Sequence, residues 1–262
     1  MMSNLLLVFI FAVCSYFFGN INWAIIISKL KKTDIRKMGS GNPGTLNMSR
    51  NLGLGIGLLT FFLDVMKGAL PTLIVFFITK DRVFSGTAFK VSDFGIFVCG
   101  FSVVLGHIFP VVFKFKGGKG IASTIGVFLV CSSTSGWEWA MVAIMAIVAA
   151  TAFIYFTEFG AMGSFIAITP PAIGCSIRLF LIYGSNMTDG AFAFNIVTNM
   201  VIFAICLFTW FAHRHNIKRM LAGEEHPTSI KEMVVKMKAK KAAQKLSEQK
   251  KVEKSCAKEN KI

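Results

Sequence analysis

Residues 54–79 read LGIGLLTFFLDVMKGALPTLIVFFIT, an apolar stretch in which only Asp64 and Lys67 are charged. A helix needs about 20 largely apolar residues to cross the hydrocarbon core of a bilayer, so this stretch is long enough. Its two charges stand three positions apart and share one helix face. We therefore predict a transmembrane helix in which Asp64 and Lys67 have a structural role, as a mutual pair or in contact with a cytoplasmic loop.

Six further apolar stretches predict helices of the same kind. Hydrophobic residues make up 54% of the 262-residue chain and charged residues only 16%, against roughly 25% charged in soluble domains. The sequence therefore predicts an all-α membrane protein with about seven transmembrane helices. The fourth along the chain, at 121–133, is short for a full crossing. The additional stretches are 4–28, 92–113, 121–133, 139–157, 163–183 and 191–212.

The distribution of charge predicts the orientation. The chain has 28 Lys or Arg against 13 Asp or Glu, and residues 212–262 alone hold 14 against six. Basic residues gather in alternate short loops and in the tail, which is the pattern of cytoplasmic segments. We expect the N-terminus outside and the C-terminus inside, with a membrane domain at 1–225 and a basic cytoplasmic tail at 226–262. This charge flanks membrane spans, so no nucleic-acid partner is expected.

The first predicted cytoplasmic loop is rich in glycine and ends on an arginine. Residues 39–50 read GSGNPGTLNMSR. Glycine and proline allow tight turns with exposed N–H groups, which form anion-binding nests, and the arginine fork matches phosphate. A flexible linker is the alternative interpretation. The candidate residues are Ser40, Gly41, Asn42, Gly44, Asn47 and Arg50.

A second glycine-rich loop opens the helix predicted at 121–133. Residues 106–110 read GHIFP, and residues 114–120 read KFKGGKG. Free N–H groups at a helix start, together with two lysines, form a cradle for phosphate. Anchoring by positive charge would explain the lysines but not the glycines. The candidates here are His107, Lys116, Gly117, Gly118, Lys119 and Gly120.

The third candidate segment follows the last span and reads HRHNIKRMLAGEE from 213 to 225. His213 and Asn216 share a helix face, and either can hydrogen-bond a hydroxyl or a phosphate. His213 is a candidate general base, or it orients a substrate by donating a hydrogen bond while a substrate phosphate takes the proton. A basic flank that stops membrane insertion is the alternative. No H-E-x-x-H or similar spacing predicts a metal site.

Together these three segments resemble the acyl-phosphate-dependent glycerol-3-phosphate acyltransferases of bacterial membranes. The resemblance implies acyl transfer from acyl phosphate to the 1-hydroxyl of sn-glycerol 3-phosphate, with lysophosphatidic acid and phosphate as products. It implies a multi-pass enzyme of the bacterial cytoplasmic membrane that uses no metal, no cofactor and no acyl-CoA. By the same resemblance, Ser40, Arg50, His213 and Asn216 are catalytic, the other loop candidates bind substrate, and Glu225 is structural. Protein partners are not readable from the sequence.

Two other functions remain open at this point. A transporter or channel for a phosphorylated anion would also use basic glycine-rich loops, but it should place polar residues along several spans. In this sequence Asp64 and Lys67 are nearly the only such residues within the spans. A CDP-alcohol phosphotransferase would need clustered aspartates, which are absent. The chain also departs from the resembled family at Leu46, where most members have threonine, and at Glu158.

Overall fold

A computed structural model of the chain describes residues 3–184, 190–224, 228–229, 231–235, 237–239 and 242. These residues are almost entirely helical, which confirms the predicted fold class, and the one strand-like feature among them is an isolated bridge between Val83 and Lys90. The helices are α1 (Asn4–Gly19), α2 (Trp23–Leu30), α3 (Thr45–Leu52), α4 (Leu54–Thr79), α5 (Val91–Ile108), α6 (Ile121–Ser133), α7 (Trp137–Thr157), α8 (Gly160–Tyr183), α9 (Ala191–Ala212) and α10 (Arg214–Leu221), with short 3-10 turns at Ile35–Lys37 and Val111–Phe113.

Six helical segments in the described part of the chain are long and apolar enough to cross a membrane. They are Asn4–Leu30, Leu54–Thr79, Val91–Phe113, Trp137–Thr157, Gly160–Tyr183 and Ala191–Ala212. The remaining expected crossing, the fourth along the chain, forms as α6, but its 13 residues span only about 20 Å, against about 30 Å of hydrocarbon. The number of crossings and the side on which each terminus lies therefore stay predictions.

The predicted helix boundaries agree closely with those in the structure. The stretches at 54–79 and 121–133 match α4 and α6 at both ends. The first stretch is divided into α1 and α2 by a break at Asn20, because the side chain of Asn22 caps the second helix by accepting from the N–H of Ile25. The expected outside loop at 184–190 lies largely outside the described residues.

Glycines allow two pairs of helices to approach unusually closely. A Cβ atom added to Gly68 of α4 would collide with the carbonyl oxygen of Ser123 in α6, and one added to Gly126 of α6 would collide with the carbonyl oxygen of Val65 in α4. The same reciprocal arrangement joins α1 and α5. Close contact of this kind drives helix association in lipid, where burial of apolar surface gives little advantage.

A small layer of short segments covers one end of the bundle. Ile35 and Met48 pack with Ala24 and Ile25 of α2 into a separate apolar cluster, which fixes α3 beside the start of α4. We call this end, with loops 39–50 and 114–120, the site end, and the end with residues 80–91 the far end.

The expectation that Asp64 and Lys67 are nearly alone within the spans is wrong. At the far end, Asp93 of α5 accepts hydrogen bonds from Arg178 at 3.0 Å and from the hydroxyl of Tyr183 at 2.7 Å. Between α8 and α9, the hydroxyl of Ser176 donates to the side chain of Asn199. Asp93, Tyr183, Ser176 and Asn199 are buried and Arg178 is half-buried, and pairing with one another satisfies these groups without water.

Candidate active site

The three loops enclose one cavity of about 250 Å³ at the site end. Polar groups line one part of its wall, and aliphatic side chains of α6, α7 and α8 line another. The predicted site residues in the wall are Ser40, Asn42, Gly44, Asn47, Arg50, Asp64, His107, Lys119, Gly120, His213 and Asn216. Gly41, Lys67, Lys116, Gly117 and Gly118 are not in the wall, and Glu225 lies outside the described residues.

Asn47 organises the first loop. Its side-chain amide donates to the carbonyl oxygens of Ile35 at 3.2 Å and Met38 at 2.9 Å. Its oxygen accepts from the N–H of Ser40 at 3.2 Å and from the side chain of Asn51 at 2.9 Å. Because both ends of this buried amide are engaged within the protein, the structure makes Asn47 a positioning residue and does not support the predicted direct contact with substrate.

Two glycines give the same loop its path. Gly39 has φ +55° and Gly41 has φ +69°, a left-handed conformation that glycine adopts without strain. The N–H of Gly41 donates to the carbonyl oxygen of Met38 at 3.0 Å. That N–H is therefore engaged in the turn, and Gly41 shapes the loop from outside the cavity wall.

Arg50 reaches the cavity from α3. Its Nη2 donates to the hydroxyl of Thr228 at 2.9 Å. Partial burial lowers the pKa of the guanidinium, but a group with so high an ordinary pKa stays cationic at pH 7. Arg50 thus presents a permanent positive charge with a planar fork of donors, which suits a phosphate.

The second loop differs from its prediction in three residues. The N–H of Gly117 donates to the carbonyl oxygen of Ile108 at 3.2 Å, and that of Gly118 donates to the carbonyl oxygen of His107 at 3.1 Å. Neither glycine has a positive φ. A Cβ atom at Gly118 would collide with the His107 ring, so these glycines permit close packing on His107 and offer no free N–H. Lys116 is exposed and lies away from the cavity.

Lys119 and the start of α6 do face the cavity. The ammonium group of Lys119 donates to the side-chain oxygen of Asn216 at 2.6 Å, which joins the second and third predicted segments. Gly120, with φ +85°, turns the chain into α6. The first N–H groups of a helix lack partners within it and carry partial positive charge, and here Ile121 and Ala122 lie in the cavity wall.

A buried cluster of charge includes two residues of this wall, Asp64 and His107, and Lys67 behind them. Lys67 approaches Asp64 at 3.1 Å as an ion pair, although the contact lacks hydrogen-bond alignment, and donates to the carbonyl oxygen of Ile21 at 2.7 Å. Its ammonium group also lies 2.7 Å from Nδ1 of His107. An ammonium group has no lone pair, so Nδ1 is the acceptor and Nε2 carries the ring proton. Of the two arrangements predicted for Asp64 and Lys67, the structure shows the mutual pair.

His213 directly follows the last residue of α9, and its ring is buried. Nδ1 lies 2.9 Å from the carbonyl oxygen of Thr209, which can only accept, so Nδ1 carries the proton and Nε2 is an acceptor. Burial, with the nearby charge of Lys119, lowers the pKa of His213 to about 4. The imidazole is therefore neutral at pH 7 and offers a lone pair, which does not fit the predicted role as a hydrogen-bond donor.

The remaining wall is aliphatic and continues to the outside of the bundle. Ile125 of α6, Ile147 and Ile154 of α7, and Ala167 of α8 line it. Thr151 of α7 also lies in this wall while being exposed. The cavity therefore reaches the outward-facing surface of α7, which carries large apolar side chains. Such a wall suits a hydrocarbon chain.

Sequence reasoning did not assign several polar residues of the wall to the site, among them Arg219 and Thr228. Arg219 lines the cavity, and its buried Nε has no hydrogen-bond partner among the described residues. Its position three residues after Asn216 on a short helix was the available signal. Thr228 also lines the cavity, but no local pattern in the basic tail indicates it. No group of three or more His, Cys, Asp or Glu that could hold a metal ion occurs in the part of the chain that the structure describes.

The sequence matches a known family over most of its length. The model of the family described as glycerol-3-phosphate acyltransferase matches residues 9–223. A glycerol-3-phosphate acyltransferase of Mycoplasmopsis pulmonis is 35% identical over 218 residues, which cover 82% of this chain and 90% of that protein. One from Aquifex aeolicus is 32% identical over 212 residues, which cover 81% and 94% respectively.

Solved structures show the same relationship. The crystal structure of PlsY, an integral membrane glycerol 3-phosphate acyltransferase, in its glycerol 3-phosphate form has 30% sequence identity and a TM-score of 0.60. The alignment covers 87% of this chain and 98% of that one. The lysophosphatidic acid form of that protein gives a TM-score of 0.59 over the same shares.

Proposed function

This chain belongs to the glycerol-3-phosphate acyltransferase family, and from that premise we propose that it acylates the 1-hydroxyl of sn-glycerol 3-phosphate with acyl phosphate as donor. The products are lysophosphatidic acid and inorganic phosphate. The reaction belongs to phospholipid biosynthesis and takes place at a bacterial cytoplasmic membrane. The relatives' names support the acceptor and the acyl transfer, and the identity of the donor is the finer part of the proposal.

One observation carries the proposal, which is that a cationic region and an apolar wall meet in a single cavity. Arg50, Lys119 and Arg219 line it on the polar side, and the isoleucines of α6 and α7 line it elsewhere. Acyl phosphate has a phosphate and a hydrocarbon chain, and the acceptor brings a second phosphate. The cavity thus has the groups that both substrates require, held next to each other.

The chemistry demands little beyond this arrangement. The hydroxyl oxygen attacks the acyl carbonyl carbon, a C–O bond forms, and the bond between that carbon and the phosphate oxygen breaks. Phosphate leaves with the electron pair, and the hydroxyl proton goes to Nε2 of His213 or to a substrate phosphate. The N-terminus of α6 can stabilise negative charge that develops on the carbonyl oxygen.

The transporter alternative loses support on two grounds. Solved relatives with the same arrangement of helices are named as acyltransferases. Asp93 is bonded to Arg178 and Ser176 to Asn199, and none of these four residues lies in the cavity wall. They brace neighbouring helices and do not form a continuous path for an anion.

We further propose that the site end faces the cytoplasm, because the basic loops lie there and the tail begins there. Membrane-impermeant maleimide in intact cells should label a cysteine placed at Asp81 and not one placed at Lys114, in a background without Cys14. The reverse labelling would contradict this orientation.

The function is tested with purified protein in lipid vesicles, supplied with acyl phosphate and glycerol 3-phosphate. We expect release of phosphate and formation of lysophosphatidic acid in equal amounts, and neither when the acceptor is omitted. Acyl-CoA in place of acyl phosphate should support no transfer. Activity with acyl-CoA, or no transfer from acyl phosphate, would contradict the proposed donor.

Two lysines of one loop provide matched variants for this assay. Lys119→Ala removes a cation from the cavity wall. Lys116→Ala removes an exposed cation of the same loop that lies away from the cavity. We expect Lys119→Ala to lower kcat/KM roughly tenfold, for a lost contact of about 1.5 kcal/mol, and Lys116→Ala to lower it less than twofold. Equal losses would mean that the loop attracts substrate by general charge.

A further inference from the structure

Thr228 lies beyond residues 9–223, the region that the family shares, and yet it contacts the candidate site. Its hydroxyl oxygen accepts a hydrogen bond from Nη2 of Arg50 at 2.9 Å. Its backbone N–H donates to the carbonyl oxygen of Glu158 at 2.8 Å. The residue is only 3% exposed and lines the cavity. A residue of the basic tail is therefore part of the cavity wall.

The surroundings of Thr228 leave little freedom for its side chain. A Cβ atom added to Gly160, at the start of α8, would lie 2.8 Å from the Thr228 hydroxyl oxygen. Thr228 thus packs against the turn between α7 and α8 on one side and bonds to Arg50 on the other. It links α3 to the α7–α8 turn, two parts of the wall that are more than 100 residues apart in the sequence.

The residues that follow hold Thr228 in place. The hydroxyl of Ser229 accepts from the N–H of Glu232 at 3.3 Å, as an N-terminal helix cap does. The ammonium group of Lys231 lies 4.9 Å from the ring centroid of Tyr155 on α7, within the range of cation–π attraction. The start of the tail is therefore docked on the bundle, and the Thr228 hydroxyl is a fixed acceptor.

We propose that Thr228 is a positioning residue, which orients the Arg50 guanidinium toward a substrate phosphate. This inference rests on the proposed function. A guanidinium holds its five N–H donors in one rigid plane, so a bond from Nη2 to Thr228 fixes the direction in which the whole fork points. Holding the arginine in one orientation before substrate arrives reduces the ordering that binding must otherwise impose on a long side chain.

The test compares Thr228→Val, which keeps the shape and removes the hydroxyl, with Thr228→Ser, which keeps the hydroxyl. We expect Thr228→Val to raise the apparent KM of at least one phosphate substrate roughly 2- to 12-fold, the effect of one hydrogen bond, with kcat changed less than twofold. Thr228→Ser should restore most of the affinity. The matched control is Thr134→Val, because the Thr134 hydroxyl donates to carbonyl oxygens in the last turn of α6 and lies outside the cavity wall.

A double-mutant cycle tests whether Thr228 acts through Arg50. In an Arg50→Lys background, Thr228→Val should cause little further loss, because the interaction is already gone. Additive losses would overturn the proposal. So would an unchanged KM for both substrates in Thr228→Val, or a Thr228→Ser variant as impaired as Thr228→Val.

Binding of inorganic phosphate separates this inference from the proposed function. A ligand that binds the folded state raises the thermal unfolding midpoint. Phosphate should therefore raise the midpoint of the parent protein more than it raises the midpoint of Thr228→Val. A parent protein that shows the shift but transfers no acyl group would overturn the function alone. A shift of equal size in both proteins would overturn the role of Thr228.

Discussion

The two ends of the helix bundle each contain a buried acid–base pair, and the two pairs are completed differently. At the far end, Asp93 is bonded through both oxygens, to Arg178 and to Tyr183 on another helix. At the site end, Asp64 and Lys67 belong to one helix, three positions apart. The Asp64 oxygen that faces Lys67 lacks hydrogen-bond alignment, and Asp64 lies in the cavity wall.

This difference distinguishes a pair that joins helices from a pair that belongs to the candidate site. A buried pair whose hydrogen bonds are all supplied by the protein joins helices, and removing one partner leaves an uncompensated charge that costs about 3–5 kcal/mol. A pair left incomplete beside a cavity, with His107 next to it, has capacity for a ligand. Variants at the far end should therefore affect stability, and variants at the site end should affect turnover.

The largest expected effect is at His213. We expect His213→Ala to lower kcat by about 10²- to 10⁴-fold, because a proton acceptor and an orienting acceptor both require the Nε2 lone pair. Tyr183→Phe at the far end should leave kcat within about twofold, while it lowers the free energy of unfolding by about 1–3 kcal/mol. Steady-state kinetics and thermal unfolding in detergent measure the two effects.

His213→Gln distinguishes the two roles of the same residue. A glutamine oxygen can accept a hydrogen bond but is not a useful base. If His213 orients glycerol 3-phosphate by accepting from its non-reacting hydroxyl, as we expect, the glutamine variant keeps much of the activity. A glutamine variant as inactive as His213→Ala at every pH would instead establish the imidazole as the general base.

The second prediction compares two arginines. Arg50→Lys replaces a planar fork by a point charge, and the loss of a charge-assisted contact of about 1.5–3 kcal/mol corresponds to a roughly 10- to 150-fold lower kcat/KM. Arg178→Lys, in the Asp93 brace, should lower the unfolding midpoint and leave kcat/KM nearly unchanged. Full activity of Arg50→Ala would contradict the assignment of Arg50 to the site.

The smallest effect concerns pH. Because burial lowers the pKa of His213 to about 4, the imidazole stays neutral until the pH falls below about 5. Phosphate monoesters take up a proton near pH 6. If a substrate phosphate accepts the hydroxyl proton, the rate should fall about tenfold between pH 7 and pH 5. A rate that stays level down to pH 5 and falls near pH 4 would point to His213.

The sequence predicted the helices and the three segments because both signals are local. Apolar length defines spans such as α4, and glycines beside basic residues mark loops 39–50 and 114–120. The structure brings these loops to one cavity, as the expected topology requires. Asp93 and Arg178 were overlooked because they lie 85 positions apart in the chain, so no helical spacing reveals the pair.

The roles of individual residues were harder to predict, since they depend on which backbone group each one meets. Asn47 looked like a ligand-binding amide until its partners proved to be the carbonyl oxygens of Ile35 and Met38. Gly118 looked like a phosphate-binding N–H donor until His107 proved to be its acceptor. Residue type limits what a side chain can bind, but only the fold decides what lies beside it.

The opening of the cavity at Thr151, on the outward-facing surface of α7, has a kinetic consequence for the proposed reaction. A donor with a long hydrocarbon chain can enter sideways from the bilayer without dissolving in water. Its encounter rate then depends on its mole fraction among the lipids, whereas the acceptor's depends on bulk concentration. Dilution of the donor with inert lipid at constant total amount should slow turnover, and an unchanged rate would place the entrance on the aqueous side.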